Sequence, residues 1–184
     1  EEAIDADTVL VSIQAANSEL GSVEPVRELA AIAHAHGALF HVDATQALGK
    51  MPLDVSEWDV DAASFSAHKV GGPKGIGALY LRARTPLSAF QLGGGQESGR
   101  RSGTQNVMGA AGFAAACRAV CAMEPEESGR LRELRDELYE KLSQVPGVRP
   151  TVDVPRGSVD FLPNIVHVIV SDLESETLIL RLDM

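Results

Sequence analysis

The chain has 184 residues and 45% hydrophobic against 23% charged residues, the balance of a folded globular protein and not of a disordered or collagen-like one. Its length is close to one domain, or one domain with part of a second. Sixteen Lys and Arg against 26 Asp and Glu give a net charge of −10, which opposes attraction to nucleic-acid phosphates or anionic lipid. There is no uninterrupted apolar run of about 18 residues, and the acidic start Glu1-Glu2-Ala3 is unlike the basic opening of a signal peptide, so the reading is of a cytoplasmic protein with no nucleic-acid or membrane partner.

Taken in chain order, Thr8 to Ile13 reads as a strand. Pro25 to Ala35 reads as a helix with apolar Val26, Leu29, Ala30 and Ala33 and a terminating Gly37. Ala38 to Val42 and Ala62 to Phe65 are further strands, separated by a helical or turn segment near Ser56 to Trp58. Strands spaced by crossovers indicate a parallel sheet covered by helices. Gly77 to Leu81 follows the Gly71-Gly72-Pro73 turn too closely for a helical crossover, so it is expected antiparallel to its predecessor and the sheet mixed.

The second half opens with a glycine-rich loop from Gly93 to Gly103. An Ala-rich helix from about Asn106 to Met123 is expected to break at Glu124-Pro125, and an amphipathic helix to run from Arg130 to Leu142, ending at Pro146-Gly147. Ile165 to Val170 reads as one more strand, and Leu178 to Leu182 as a helix capped by Ser175. There is no initiator Met, and the last helical pattern stops at Met184 without a capping signal, as expected of an internal piece of a longer polypeptide. The domain reading is 1–123 for part of a large domain, and 124–184 for a linker helix and the start of a smaller one.

Cys117 and Cys121 are spaced i, i+4 on a helix, too far apart for a disulfide, and read as small buried hydrophobes. His34, His36 and His41 do not form a metal set; charge at a helix C-terminus accounts for the first two, so no metal is expected. The P-loop and dinucleotide patterns fail, because Gly49-Lys50 lacks the following Ser or Thr and Gly75-Ile76-Gly77 opens a strand.

In an open α/β sheet the ligand crevice lies at the carboxyl ends of the strands. Asn17 follows the first strand, Asp43 and Gln46 the second, and Ser66, His68 and Lys69 the third. A lysine that can form a Schiff base and a carboxylate that can keep a pyridinium nitrogen protonated describe a pyridoxal phosphate site. Ser66 and His68 suit phosphate oxygens, the amides of Asn17 and Gln46 suit the phenolic oxygen, and the loop carrying Arg100, Arg101, Ser102 and Thr104 suits an anion.

The strings His41-Val42-Asp43-Ala44-Thr45-Gln46, Ser64-Phe65-Ser66-Ala67-His68-Lys69 and Gly72-Pro73-Lys74-Gly75-Ile76-Gly77 closely resemble the cysteine desulfurases, fold-type I members of the class V aminotransferase group. Gly93-Gly94-Gly95-Gln96-Glu97, Arg101-Ser102-Gly103-Thr104 and Asn17-Ser18-Glu19-Leu20-Gly21 fit the same pattern, over nearly the whole chain. The resemblance implies an α/β large domain with a mostly parallel mixed sheet sandwiched by helices, followed by the beginning of a small C-terminal α/β domain. It implies Lys69 as the Schiff-base lysine that moves the substrate proton, with His68 as a second catalytic residue. Asp43 would be the pyridinium partner, Gln46 and Asn17 ligands of the phenolic oxygen, and Ser66 and His68 ligands of the phosphate. Thr104 would reach the phosphate of a neighbouring subunit, hence a homodimer.

The reaction implied is L-cysteine to L-alanine, with sulfur left as an enzyme persulfide for a sulfur-acceptor or scaffold protein in iron–sulfur cluster or thio-cofactor synthesis. Two departures stand out: Ser18 where the family has a second Asn, and Ala15 where it has a His. The family's phosphate turn and ring-stacking His precede residue 1, and its persulfide Cys and carboxylate Arg follow Met184, so this stretch alone is not expected to complete the reaction. A selenocysteine lyase, a kynureninase-like enzyme, or a non-catalytic dimerisation or partner-binding relative are the competing readings.

Overall fold

The computed structural model describes residues 2–183. A four-stranded sheet has the order β1-β2-β3-β4, with β1 Leu10–Gln14, β2 Leu39–Asp43, β3 Ala62–Ser66 and β4 Gly77–Leu81. The first three strands are parallel and β4 is antiparallel to β3, the mixed sheet expected from the short connection. Helix α1, Val26–Ala35, crosses between β1 and β2. Its Val26, Ala30 and Ala33 are buried against Phe40 and Val42 of β2 and Ala63 of β3, with Val11, Ile13, Leu29 and Trp58 packed around them. Phe40 and Val42 are fully buried, and the alternation along β2 places His41 and Asp43 on the other face.

That other face carries Ser12, His41 and Ser64, whose side chains form one cross-strand chain: His41 Nδ1 shares a 2.7 Å hydrogen bond with Ser12 Oγ, and Nε2 a 3.2 Å one with Ser64 Oγ. Leu10 and Leu79 on the same face are about half exposed, at 54% and 50%.

After β3 the chain enters a single 3-10 turn, Ala67–Val70, closed by Gly71 in the left-handed region. Ala67 N–H donates to the Ile76 carbonyl and ties the turn to the start of β4. At Gly77 a Cβ would stand 2.6 Å from the Phe65 carbonyl oxygen, so only glycine lets β4 approach β3 there.

Helix α2, Val107–Leu142, differs from the sequence expectation, because it runs unbroken through Glu124-Pro125. Pro125 removes the donor for the carbonyl four residues back, at Cys121. External contacts hold both sides of the defect. Before it, Phe113, Ala116, Cys117 and Val120 pack with Ala67 and Val70 of the 3-10 turn; after it, Ser128 Oγ donates to the Lys50 carbonyl at 3.0 Å and Arg135 is buried in the segment 158–162. Tertiary contacts outweigh the local cost. Cys117 is half-buried in this cluster, and burial raises its thiol pKa; Cys121 is exposed, contrary to the expectation that both are buried.

By length and composition alone α2 is apolar enough to cross a membrane, a possibility the sequence reading excluded. That apolar stretch lies in the first half of the helix and is largely exposed, whereas beyond it Ser128, Arg135 and Asp136 are buried and each engaged by protein groups.

Beyond α2, β5 Val148–Pro150 and β6 Val168–Val170 form a separate antiparallel pair. The strand expected from Ile165 is thus shortened to three residues. Helix α3, Ser175–Leu182, has Glu174 at its N-cap position and not Ser175. The segment 160–162 returns to the first half of the chain: Leu162 N–H donates to the Gly21 carbonyl at 2.7 Å and Val23 N–H to the Asp160 carbonyl at 2.9 Å. Arg135 fixes that segment from the α2 side, with Nη1 donating to the Phe161 carbonyl at 2.9 Å and Nη2 to the Ser158 carbonyl at 3.1 Å.

Candidate active site

Parallel pairing carries the loops after β1, β2 and β3 to one end of the sheet. Ala15 N–H donates to the Asp43 carbonyl at 2.8 Å, and Ala44 N–H to the Ser64 carbonyl at 3.0 Å, so the ladder extends into the loops and holds them side by side. A pocket of about 220 Å³ opens there, lined by Gln14, Ala16, Ser18, Asp43, Thr45, Gln46 and Lys69. Of the residues singled out in the sequence, the structure gathers Asp43, Gln46 and Lys69 around this pocket.

Asp43 ends β2 with an exposed side chain whose Oδ1 accepts the Thr45 N–H at 2.9 Å. This turn fixes the carboxylate and leaves Oδ2 without a hydrogen-bond donor among the described residues. Gln46 lies on the compact turn 44–51, which is held by amide bonds from Ala47, Leu48, Lys50 and Met51 back to Ala44 and Ala47. Lys69 sits in the middle of the 3-10 turn, between buried Ala67 and Val70. Those two apolar neighbours anchor the turn in the core while Lys69 itself remains exposed.

Ser66 and His68 form a pair of their own, with Ser66 Oγ and His68 Nδ1 sharing a 2.7 Å hydrogen bond. Asn17 does not line the pocket. Its Oδ1 accepts the N–H groups of Glu19 and Leu20, both at 2.8 Å, which leaves the Nδ2 amino group for a ligand. Thr104 lies apart in an exposed stretch after the glycine loop. In that loop Arg101 Nη1 donates to the Ser102 carbonyl at 2.9 Å, and buried Ser102 donates to the Gly94 carbonyl at 3.1 Å.

The sequence reading overlooked three kinds of residue. Gln14, Ser18 and Thr45 line the pocket because they flank strand ends, a position the strand boundaries imply. Lys50, dismissed with the failed P-loop pattern, donates from Nζ to Gln46 Oε1 at 2.7 Å; burial, and then the nearby Lys69 ammonium, lower its pKa. His41, two residues before Asp43 on the same strand face, has its pKa lowered by burial, against a smaller opposing effect of Asp43. The three candidate histidines do not converge: His34 Nε2 pairs with Asp61 Oδ2 at 2.8 Å at the far end of the sheet, and no metal-ligating group of three occurs among the described residues.

The aminotransferase class V family model matches residues 1–183. The chain belongs to the class V aminotransferase family. Cysteine desulfurase IscS of Pectobacterium carotovorum subsp. carotovorum (strain PC1) is 42% identical over 184 residues, covering 99% of this chain and 45% of that protein. A solved NifS-like protein superposes with a TM-score of 0.89 at 39% identity, over 96% of this chain and 48% of the other. A structure described as SspA in complex with cysteine matches 64% of this chain and 34% of the other, with a TM-score of 0.61 and 42% identity. This class V aminotransferase chain therefore spans about half the length of the curated relatives it matches, and its likeness to cysteine desulfurases runs from end to end.

The residues present fit pyridoxal phosphate by the chemistry of their donors. A primary amine, a carboxylate with an oxygen to spare and an amide line one pocket, and a hydroxyl–imidazole pair lies on the same strand end as the amine.

Proposed function

We propose that the complete protein is a pyridoxal phosphate-dependent cysteine desulfurase that converts L-cysteine to L-alanine and passes the sulfur on as an enzyme persulfide. The observation that carries this reading is the shared pocket of Lys69, Asp43 and Gln46 at the carboxyl edge of the parallel strands, in a chain whose relatives bear that name. The cofactor supplies an electron sink for the carbanion that forms at the substrate Cα. Lys69 provides the amine that holds the cofactor and, once released, moves the Cα proton. Asp43 Oδ2 keeps a proton on the ring nitrogen. Gln46 donates from Nε2 to the phenolic oxygen, joined by Asn17 Nδ2, and the Ser66–His68 pair binds the phosphate.

Cys117 and Cys121 match no catalytic position of the cysteine desulfurases, and the persulfide is assigned to another cysteine of the complete polypeptide. A second copy of the chain completes the site through Thr104. Support for that comes from the apolar side chains exposed around it, where Phe90, Leu92, Val107 and Met108 are 71% to 103% exposed. The product sulfur goes to an acceptor or scaffold protein for iron–sulfur cluster or thio-cofactor synthesis.

The test is direct. The complete protein reconstituted with pyridoxal phosphate is expected to show the visible absorption of the covalently held cofactor and to release L-alanine from L-cysteine. Lys69→Ala is expected to lose both, and a borohydride-reducible adduct persisting in that variant would overturn the assignment of Lys69.

A further inference from the structure

The geometry points to Lys50 as a positioning residue that fixes which end of the Gln46 amide faces the cofactor. This inference rests on the pyridoxal phosphate reading above and adds to it a residue that touches neither cofactor nor substrate. A glutamine amide has an accepting end and a donating end of nearly equal shape, so a half-turn about its last torsion exchanges them at little steric cost. In the pocket the two ends are not equivalent, because a phenolic oxygen carrying negative charge attracts N–H and repels a carbonyl oxygen.

Lys50 removes the ambiguity. An ammonium has three donors and no acceptor, and its Nζ stands 2.7 Å from Gln46 Oε1. Exchanging the ends would set the amide NH2 against the ammonium, donor against donor. With Oε1 taken, Nε2 is the end left for the pocket that Gln46 lines, and it has no hydrogen-bond partner among the described residues. The remaining charged groups on that pocket are Asp43 and Lys69, neither of which is bonded to Gln46.

The ammonium is itself held in place from the backbone. The Lys50 carbonyl accepts the hydroxyl of buried Ser128 on α2 at 3.0 Å, and Lys50 N–H donates to the Ala47 carbonyl at 3.1 Å. The preceding Gly49, at φ +70°, is pressed onto Val120 of the same helix. Side-chain freedom is limited too, since Lys50 is only partly exposed and spans the four residues back to Gln46 across one turn.

The experiment is a pH titration of the visible band of the bound cofactor in the complete polypeptide loaded with pyridoxal phosphate. An N–H donated to the phenolic oxygen draws charge from it and lowers the proton affinity of the nitrogen beside it. Lys50→Met, which frees the amide to turn, is expected to raise the midpoint by about half to one pH unit, the worth of one hydrogen bond. Lys50→Arg keeps the donor and is expected to stay near the wild-type midpoint. In a Gln46→Ala background Lys50→Met is expected to add nothing, because the group it acts through is gone.

A wild-type midpoint in Lys50→Met overturns the inference, as does an equal shift in the Gln46→Ala background, which would mean that Lys50 acts by its charge alone. Should Lys50→Met not fold, Lys50→Gln serves: its amide accepts or donates to Gln46 alike, and a midpoint between those of wild type and Gln46→Ala is expected, with the wild-type value counting against the role. Absence of the visible band from the unmodified protein would instead overturn the cofactor reading itself, so the two failures are told apart.

Discussion

Replacing Arg135 by Met probes the junction that holds the segment 158–162 against α2. The Arg135 and Asp136 side chains are 1% and 7% exposed, and Asp136 Oδ1 receives Nη2 at 2.8 Å and Nε at 3.0 Å. The same guanidinium serves the carbonyls of Ser158 and Phe161, and Asp136 Oδ2 accepts the Gly157 N–H at 2.6 Å. Met fills much of the volume but supplies no donor, leaving a buried carboxylate with one amide partner and taking the guanidinium from the carbonyls of Ser158, Phe161 and Leu162. Breaking a buried pair from one side costs about 3–5 kcal/mol. The assay is urea unfolding of the complete protein, with limited proteolysis reporting on residues 155–163. The Arg135→Met, Asp136→Leu double variant is expected to lose less than Arg135→Met alone, because no uncompensated charge stays inside. A loss below about 1 kcal/mol in the single variant, or a double variant as costly as both singles summed, would refute the reasoning.

Gly49→Ala is expected to destabilise by about 1–3 kcal/mol. Its Cβ would lie 2.6 Å from Val120 Cγ2 at a φ of +70°, and adding Val120→Ala is expected to recover the steric part but not the backbone part, as judged by thermal unfolding. His41, whose pKa is depressed by burial, contributes stability that is present above its ordinary 6.5 and lost as pH falls through its lowered folded value. Stability curves taken below pH 7 should therefore slope less in His41→Gln than in the wild type, and equal slopes would count against burial as the cause. Asp43→Ala is expected to keep most of the bound cofactor while losing turnover of L-cysteine by about 10²-fold or more, as for other single electrostatic contributors, measured by L-alanine release.

The strands and the crossover helix were legible because each has a period that burial enforces. β2 shows as the apolar run Ala38 to Val42, and within it the structure turns Phe40 and Val42 inward and His41 and Asp43 to the other face. Asp43, Gln46 and Lys69 were legible as a set because parallel strands align their carboxyl ends whatever the details of packing. What escaped depended on distant partners. The proline in α2 is a strong local stop signal, and it is overridden by contacts with Ala67, Val70 and the Lys50 carbonyl, dozens of residues away in the chain. Cys121 looked buried by residue type, but its place on the helix turns it outward. Lys50 enters the sequence reading only through the rejected Gly49-Lys50 pattern, since its bond to Gln46 depends on how the 44–51 turn coils, which no short motif records. Asn17 was correctly placed after β1, while the use of its carbonyl oxygen in a local turn follows from the amides of Glu19 and Leu20 folding back upon it.

The continuity of α2 has a mechanical consequence. At 36 residues it is a rod of roughly 54 Å. Its first turns brace the 3-10 turn that carries Lys69, its middle grips the base of the Gln46 turn through Ser128, and its last third clamps, through Arg135, the segment that lies against Gly21 and Val23. Two walls of the crevice, and the segment that backs the loop after β1, are thus bolted to one girder. A hinge engineered at 124–126, such as a pair of glycines, would let those walls drift apart without altering any side chain that lines the crevice.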